Sequence, residues 1–184
     1  MIDFKPPTTG QSARQGLILG IFALLTAAPL TGYCGNPDLS SLSELPPTEL
    51  GTPSLRATAF QQGTLNTSHI TQKGANAMAS VSQEGVNNHA TTSQTGMNNV
   101  AVVAQYGMGN DASITQTGGN NSGEINQRGI GNKARLEQYA SNASATLNQF
   151  GNANQLMVTQ LAPGALAPVT QIGNGLVLKV FLFK

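Results

Sequence analysis

From residue 57 onward, apolar and polar positions alternate with a period of two, and the pattern restarts every eleven residues. In Ala112-Ser-Ile-Thr-Gln-Thr-Gly118 a small residue, an aliphatic, a Gln and a Gly occupy every second place, with hydroxyl residues between. Period-two alternation places one set on one face of a β-strand. The aliphatic position is held by Ile70, Val81, Val103, Ile114, Ile125, Leu136, Leu147, Val158 and Val169, with Thr92 as the polar variant. The small position is held by Ser68, Ala79, Ala90, Ala101, Ala112, Gly123, Ala134, Ala145 and Ala167, with Leu156 as the exception. Between them Thr71, Ser82, Ser93, Thr115, Asn126, Glu137 and Asn148 are mostly polar and are read as facing outward.

The period is carried most strictly by glutamine. Gln61, Gln72, Gln83, Gln94, Gln105, Gln116, Gln127, Gln138, Gln149, Gln160 and Gln171 follow one another without a slip. Gly comes two residues later, replaced only at Ala140 and Ala162, and Asn comes five later at Asn66, Asn88, Asn99, Asn110, Asn121, Asn132 and Asn154. Asn76 and Asn142 sit one place early. An eleven-residue period also fits a right-handed helical supercoil, but a Gly and an Asn in each unit weaken a helix. Each unit is therefore read as a strand of about seven residues and an arc of about four, with Asn accepting left-handed backbone in the arc and Gly permitting the bend. Two units make one rung. Twelve strand units fit between Ala57 and Lys184, the last of them atypical. The expected fold is all-β: a β-solenoid of stacked strand-arc-strand rungs, about 22 residues per rung, with two facing parallel sheets in a cross-β arrangement.

Stacking explains why Gln faces inward. A buried amide without a partner costs about 1–3 kcal/mol, whereas in a column of identical amides each donates to one neighbour and accepts from the other.

Composition narrows the function. Only 9 % of the 184 residues are charged and the net charge is +1, against roughly 25 % charged in an ordinary soluble domain. No basic footprint for nucleic acid is present. A hydrophobic share of 39 % argues against disorder. His69 and His89 have no partners at ligand spacing, and Asp111, Glu124 and Glu137 are read as lying in different rungs and faces. No catalytic residue, metal site or cofactor is therefore expected.

The ends differ from the repeat. Residues 1–35 read as a secretory signal peptide, with Lys5 and Arg14 before an apolar run from Leu17 to Ala28 and small residues after it. Cys34, the single cysteine, permits no intrachain disulfide. Residues 36–56, with Pro37, Pro46, Pro47 and Pro53, read as an extended leader or linker, and residues 57–184 as the solenoid.

Units such as Gln83-Glu-Gly-Val-Asn-Asn-His-Ala-Thr-Thr-Ser-Gln94 and Gln105-Tyr-Gly-Met-Gly-Asn-Asp-Ala-Ser-Ile-Thr-Gln116 resemble curlin repeats. The resemblance spans residues 57 to about 173 and implies a subunit of curli, the extracellular functional amyloid of bacterial biofilms. It further implies export through the outer membrane of a diderm bacterium by a secretion channel with accessory proteins. It also implies self-assembly with like subunits into a cell-surface fibre, adhesion and biofilm formation. By that analogy the inward Gln and Asn residues support polymerisation. Pro163, Pro168 and the apolar run Leu176-Val-Leu-Lys-Val-Phe-Leu-Phe-Lys184 depart from the pattern, which suits a minor, nucleating subunit as the alternative.

Two outer features complete the reading. Glu84, Tyr106, Arg128, Phe150 and Ile172, spaced by 22, are expected to form a stripe in which Arg128 meets an aromatic ring. Lys73, Asp111, Lys133 and the Arg135/Glu137 pair are expected to be solvated. A soluble ice- or surface-binding solenoid is the remote alternative. Its outward hydroxyl ladder begins at Thr91/Ser93 and Ser113/Thr115 but is broken by Arg135/Glu137.

Overall fold

The computed structural model describes residues 20–25 and 54–183. Most of the expected signal peptide and leader, Cys34 included, lies outside the described residues. Twelve consecutive strands build the solenoid: β2 (Arg56–Thr64), β3 (Thr67–Ala75), β4 (Met78–Val86), β5 (His89–Met97), β6 (Val100–Met108), β7 (Asp111–Gly119), β8 (Ser122–Ile130), β9 (Lys133–Gln138), β10 (Ser144–Asn152), β11 (Gln155–Gln160), β12 (Leu166–Ile172) and β13 (Val177–Leu182). They are preceded by β1 (Gly20–Leu25), which falls inside the apolar run assigned to the signal peptide.

Successive strands alternate between two parallel sheets. One sheet, A, runs β1-β3-β5-β7-β9-β11-β13; the other, B, runs β12-β10-β8-β6-β4-β2. From β2 to β13 each strand pairs in parallel with the strand two units on at a register of 22 residues, as in Gln83↔Gln105 and Gln105↔Gln127, whereas β1 joins β3 with Gly20 opposite Thr67. The result is a β-solenoid of six rungs from β2 to β13, with no helix among the described residues.

The core is thin and periodic. Ala79, Ala90, Ala101 and Ala112 line up with Ile70, Val81, Val103, Ile114, Ile125, Leu136, Leu147 and Val158 between the sheets, all buried. The intervening residues are exposed or half-buried except Glu137 and Thr159, and β7 alternates as the period-two pattern predicts. Alanine in one column lets the two sheets approach closely, and the larger aliphatic in the next fills the space that remains.

The arcs are shorter than expected. Most strands run nine residues, with two residues between β2 and β3 or between β4 and β5. The reason is the glycine: the strand passes through it at positive φ, between 111° and 135° along the two columns, and keeps pairing beyond it. Gly107 shows why no side chain fits: an added Cβ would lie 2.0 Å from the Gly129 carbonyl oxygen of the next rung. The left-handed residue of the turn is also not the periodic Asn. It is the residue before it, as at Leu65, Asn76, Asn87, Asn98, Gly109 and Asn120. Asn76 and Asn142 therefore occupy the left-handed place itself.

Candidate functional site

Two columns of glutamine run along the inside of the solenoid. Gln61, Gln83, Gln105, Gln127, Gln149 and Gln171 stack in sheet B, and Gln72, Gln94, Gln116, Gln138 and Gln160 in sheet A, every one of them buried. Within each column the amide Nε2 donates to the Oε1 of the glutamine 22 residues on, at 2.6 Å for Gln61 to Gln83 and 2.9 Å for Gln105 to Gln127. The same nitrogen makes a second donation. Gln83 Nε2 reaches the Thr67 carbonyl at 3.0 Å and Gln116 Nε2 the Val100 carbonyl at 2.8 Å, each on the opposite sheet. One side chain thus ties rung to rung and sheet to sheet. Each buried amide bond of this kind contributes about 1 kcal/mol net, and considerably more is lost when a partner is left unpaired.

The asparagines divide between the two turns of the rung. Asn66, Asn88, Asn110, Asn132 and Asn154 stack in the turn that leads from sheet B to sheet A; Asn99 and Asn121 stack in the other. Each side chain bonds to the next rung twice, once as donor and once as acceptor. Asn110 Nδ2 donates to the Gly129 carbonyl at 3.0 Å, and Asn110 Oδ1 accepts from the Asn132 backbone N–H at 3.0 Å. The left-handed positions add a lesser, exposed ladder, in which Asn98 Nδ2 donates to Asn120 Oδ1 at 3.0 Å. The pattern Asn-Asn at 87–88, 98–99 and 120–121 carries that second ladder in plain view, but only the turn geometry separates the two roles.

The outer faces bear out part of the sequence reading. Glu84, Tyr106, Arg128, Phe150 and Ile172 form one in-register stripe on sheet B. The Arg128 guanidinium lies 5.4 Å from the Tyr106 ring centroid, within cation–π range. His69 and His89 are exposed, each with its ring Nε2 3.2 Å from a threonine hydroxyl, Thr71 and Thr91 respectively. No two of Asp111, Glu124 and Glu137 share both a rung and a face, although Asp111 and Glu137 lie on the same sheet and Glu124 and Glu137 in the same rung. Glu137 corrects the expectation of a solvated pair. Its carboxylate is buried, 2.6 Å from the exposed Arg135 guanidinium and 3.3 Å from the Thr159 hydroxyl. Those two donors hold it against the sheet while Arg135 alone meets water.

Both ends of the solenoid depart from the interior. At the first rung the Oε1 of Gln61 is buried with no hydrogen-bond partner among the described residues. At the last rung Leu182 stands where sheet A has carried Gln160, so the Gln160 amide turns to the Ala165 carbonyl at 3.0 Å.

The curlin associated repeat matches three times, over residues 54–85, 86–118 and 119–151, together more than half of the chain. The chain belongs to the curlin-repeat family. Each matched segment covers about three eleven-residue units, so three curlin repeats account for β2 through most of β10. The curlin matches stop before the last strands, where Ala162, Pro163, Pro168 and Leu182 replace the repeat residues. A search of the curated proteins finds no match.

Proposed function

We propose that this chain is a structural subunit of an extracellular curli-like fibre, self-assembling by end-to-end stacking of rungs. The observation that carries the proposal is the equivalence of the rungs. Every interior strand pairs with a near copy of itself at a fixed 22-residue register, and the terminal strands β2, β12 and β13 each have a neighbour in the sheet on one side alone among the described residues. An exposed edge of this kind templates pairing with another chain. Polymerisation is then folding continued between molecules, with no catalytic group and no cofactor.

Family membership supports the wider setting: removal of residues 1–35 as a signal peptide, residues 36–56 as a leader, and passage through an outer-membrane channel with accessory proteins. Beyond the membrane lie co-assembly with other curlin subunits on the surface of a diderm bacterium, and a role in adhesion and biofilm matrix. The inward Gln and Asn residues are the assembly ladder. The atypical last rung favours the role of minor, nucleating subunit as a second reading, because Leu182 ends one glutamine column.

The test is incubation of purified protein at tens of micromolar with an amyloid dye and with seeds. Time-dependent, seedable cross-β fibres are expected. Gln94→Leu with Gln116→Leu should slow their appearance far more than Thr95→Leu with Thr117→Leu on the outer face. Protein that stays monomeric and seeds no partner subunit sinks the proposal.

A further inference from the structure

The two ends of the solenoid are complementary in one sheet and not in the other. In sheet B the glutamine ladder is one bond short at each end. Gln61, 8 % exposed, gives its amide to Gln83 but its buried Oε1 accepts nothing from the described residues. Gln171, 5 % exposed, accepts from Gln149 at 2.8 Å and donates to the Gln155 carbonyl at 3.2 Å. Interior glutamines such as Gln105 make both of those bonds and also donate to the next glutamine. Among the described residues no further glutamine follows Gln171 in this column. A donor is left at one end and an acceptor at the other, in the same column.

The rest of sheet B agrees. Placed one register on, Ala167, Val169, Gln171 and Gly173 of one copy fall on Ala57, Ala59, Gln61 and Gly63 of the next, which repeats the small, aliphatic, Gln, Gly order of every interior pair. Sheet A does not agree. Its last strand would set Leu178 and Leu182 against Ser68 and Gln72, apolar side chains against polar ones that are already buried. At the other end no described strand covers the outer edge of β2, so that edge is open to a second copy.

Pro168 costs the sheet B joint one backbone bond and leaves its side-chain ladder intact. In β10 the Ser144 N–H donates up to the Ala165 carbonyl, so residue 146 also points that way. The equivalent of residue 146 in β12 is Pro168, which removes one donor from the free edge without touching the column of Gln171.

We infer that copies of this chain join through sheet B alone: Gln171 of one molecule donates its amide to Gln61 of the next, and sheet A forms an open seam at every joint. The occupant of the β2 edge is thus β12 of a second copy. This rests on the fibre reading above and adds its joint.

Gln61 and Gln171 are at opposite ends of one molecule, so any energetic coupling between them reports on contact between molecules. Gln61→Leu and Gln171→Leu are each expected to raise the critical concentration for assembly of the full chain about tenfold, the size of one lost buried amide bond. The double variant is expected to cost no more than either single change, because the two apolar side chains then face each other. Strictly additive losses overturn the inference. A second measurement uses Cys34→Ser protein carrying Gln62→Cys with Ile172→Cys, one outward pair across the sheet B joint. In-register parallel neighbours lie about 4.8 Å apart, within disulfide range. Ladders of disulfide-linked multimers are expected on assembly. The sheet A pair Thr67→Cys with Val177→Cys should give none. Equal cross-linking of both pairs, or of neither within fibres that form, rejects the one-sided joint while leaving the fibre reading intact. Failure of the unmodified chain to form any fibre rejects both.

Discussion

The two turns of each rung are built from the same eleven-residue unit, yet only one of them is uniform. The turn from sheet B to sheet A has Gly63, Gly85, Gly107, Gly129, Gly151 and Gly173 at its bend, with Asn66, Asn88, Asn110, Asn132 and Asn154 beside the first five and Leu176 beside the last. The opposite turn has Gly74, Gly96 and Gly118, then Ala140 and Ala162, and its Asn column is broken by Ala77, Ala143 and Ala165. Where glycine is kept, the strands from β2 to β10 run nine residues, as in β8 and β10, and only the edge strand β12 is shorter, at seven; where alanine takes over, β9 and β11 stop at the glutamine after six. Glycine therefore sets the length of the strand. Without it the chain cannot hold the positive φ that lets pairing continue to the turn.

Breaking the uniform turn is expected to give the largest effect. Gly107→Ala puts a Cβ 2.0 Å from the Gly129 carbonyl oxygen at a φ of +124°. A loss of about 3 kcal/mol or more in unfolding free energy is expected by denaturant titration, because both the clash and the backbone must be relieved. A loss below 1 kcal/mol would mean that neighbouring rungs separate readily at this turn. Gly131→Ala sharpens the point. Its φ is +66°, but nothing lies within 4 Å of the added Cβ, so only the cost of left-handed backbone remains, about 1 kcal/mol.

Repairing the irregular turn is the smallest and most discriminating change. Ala77 is buried beside Gly74 and Gly96, which still have the bend of the regular turn. Ala77→Asn should therefore supply the Asn99 N–H with the acceptor that Asn99 itself gives Asn121 at 3.1 Å. A gain of about 1 kcal/mol is expected in thermal or urea unfolding. The same replacement at Ala143 should bring no gain, because Ala140 has already redirected the chain there. Equal gains at both sites would show that asparagine acts independently of the glycine bend.

The glutamine columns, the inward and outward faces and the 22-residue rung were all legible from residue order. The 22-residue register holds at every strand pair of the solenoid, and period-two alternation has one physical meaning. Turn chemistry was less legible. Adjacent asparagines at 87–88, 98–99 and 120–121 look alike in sequence, yet one takes left-handed backbone and the other is buried in a ladder. Gly107 reads as a strand terminator until the carbonyl of the next rung is seen against it. Glu137 reads as a surface charge, because its cover comes from Arg135 two residues away and Thr159 a full rung away. Distances along the rung axis decide these cases, and the one-dimensional pattern contains them only as repeats of 22.

That register also governs how such a sequence changes length. Near-identical units invite unequal recombination, and the solenoid tolerates its products by a rule of parity. Loss or duplication of 22 residues removes or adds a rung and returns every later strand to its own sheet. Loss of eleven keeps the glutamines in line but exchanges the sheets downstream, bringing Ala140 and Ala162 under the unbroken glycine column and β13 onto the face of Tyr106 and Arg128. Viable length variants of this chain should therefore differ by even numbers of units.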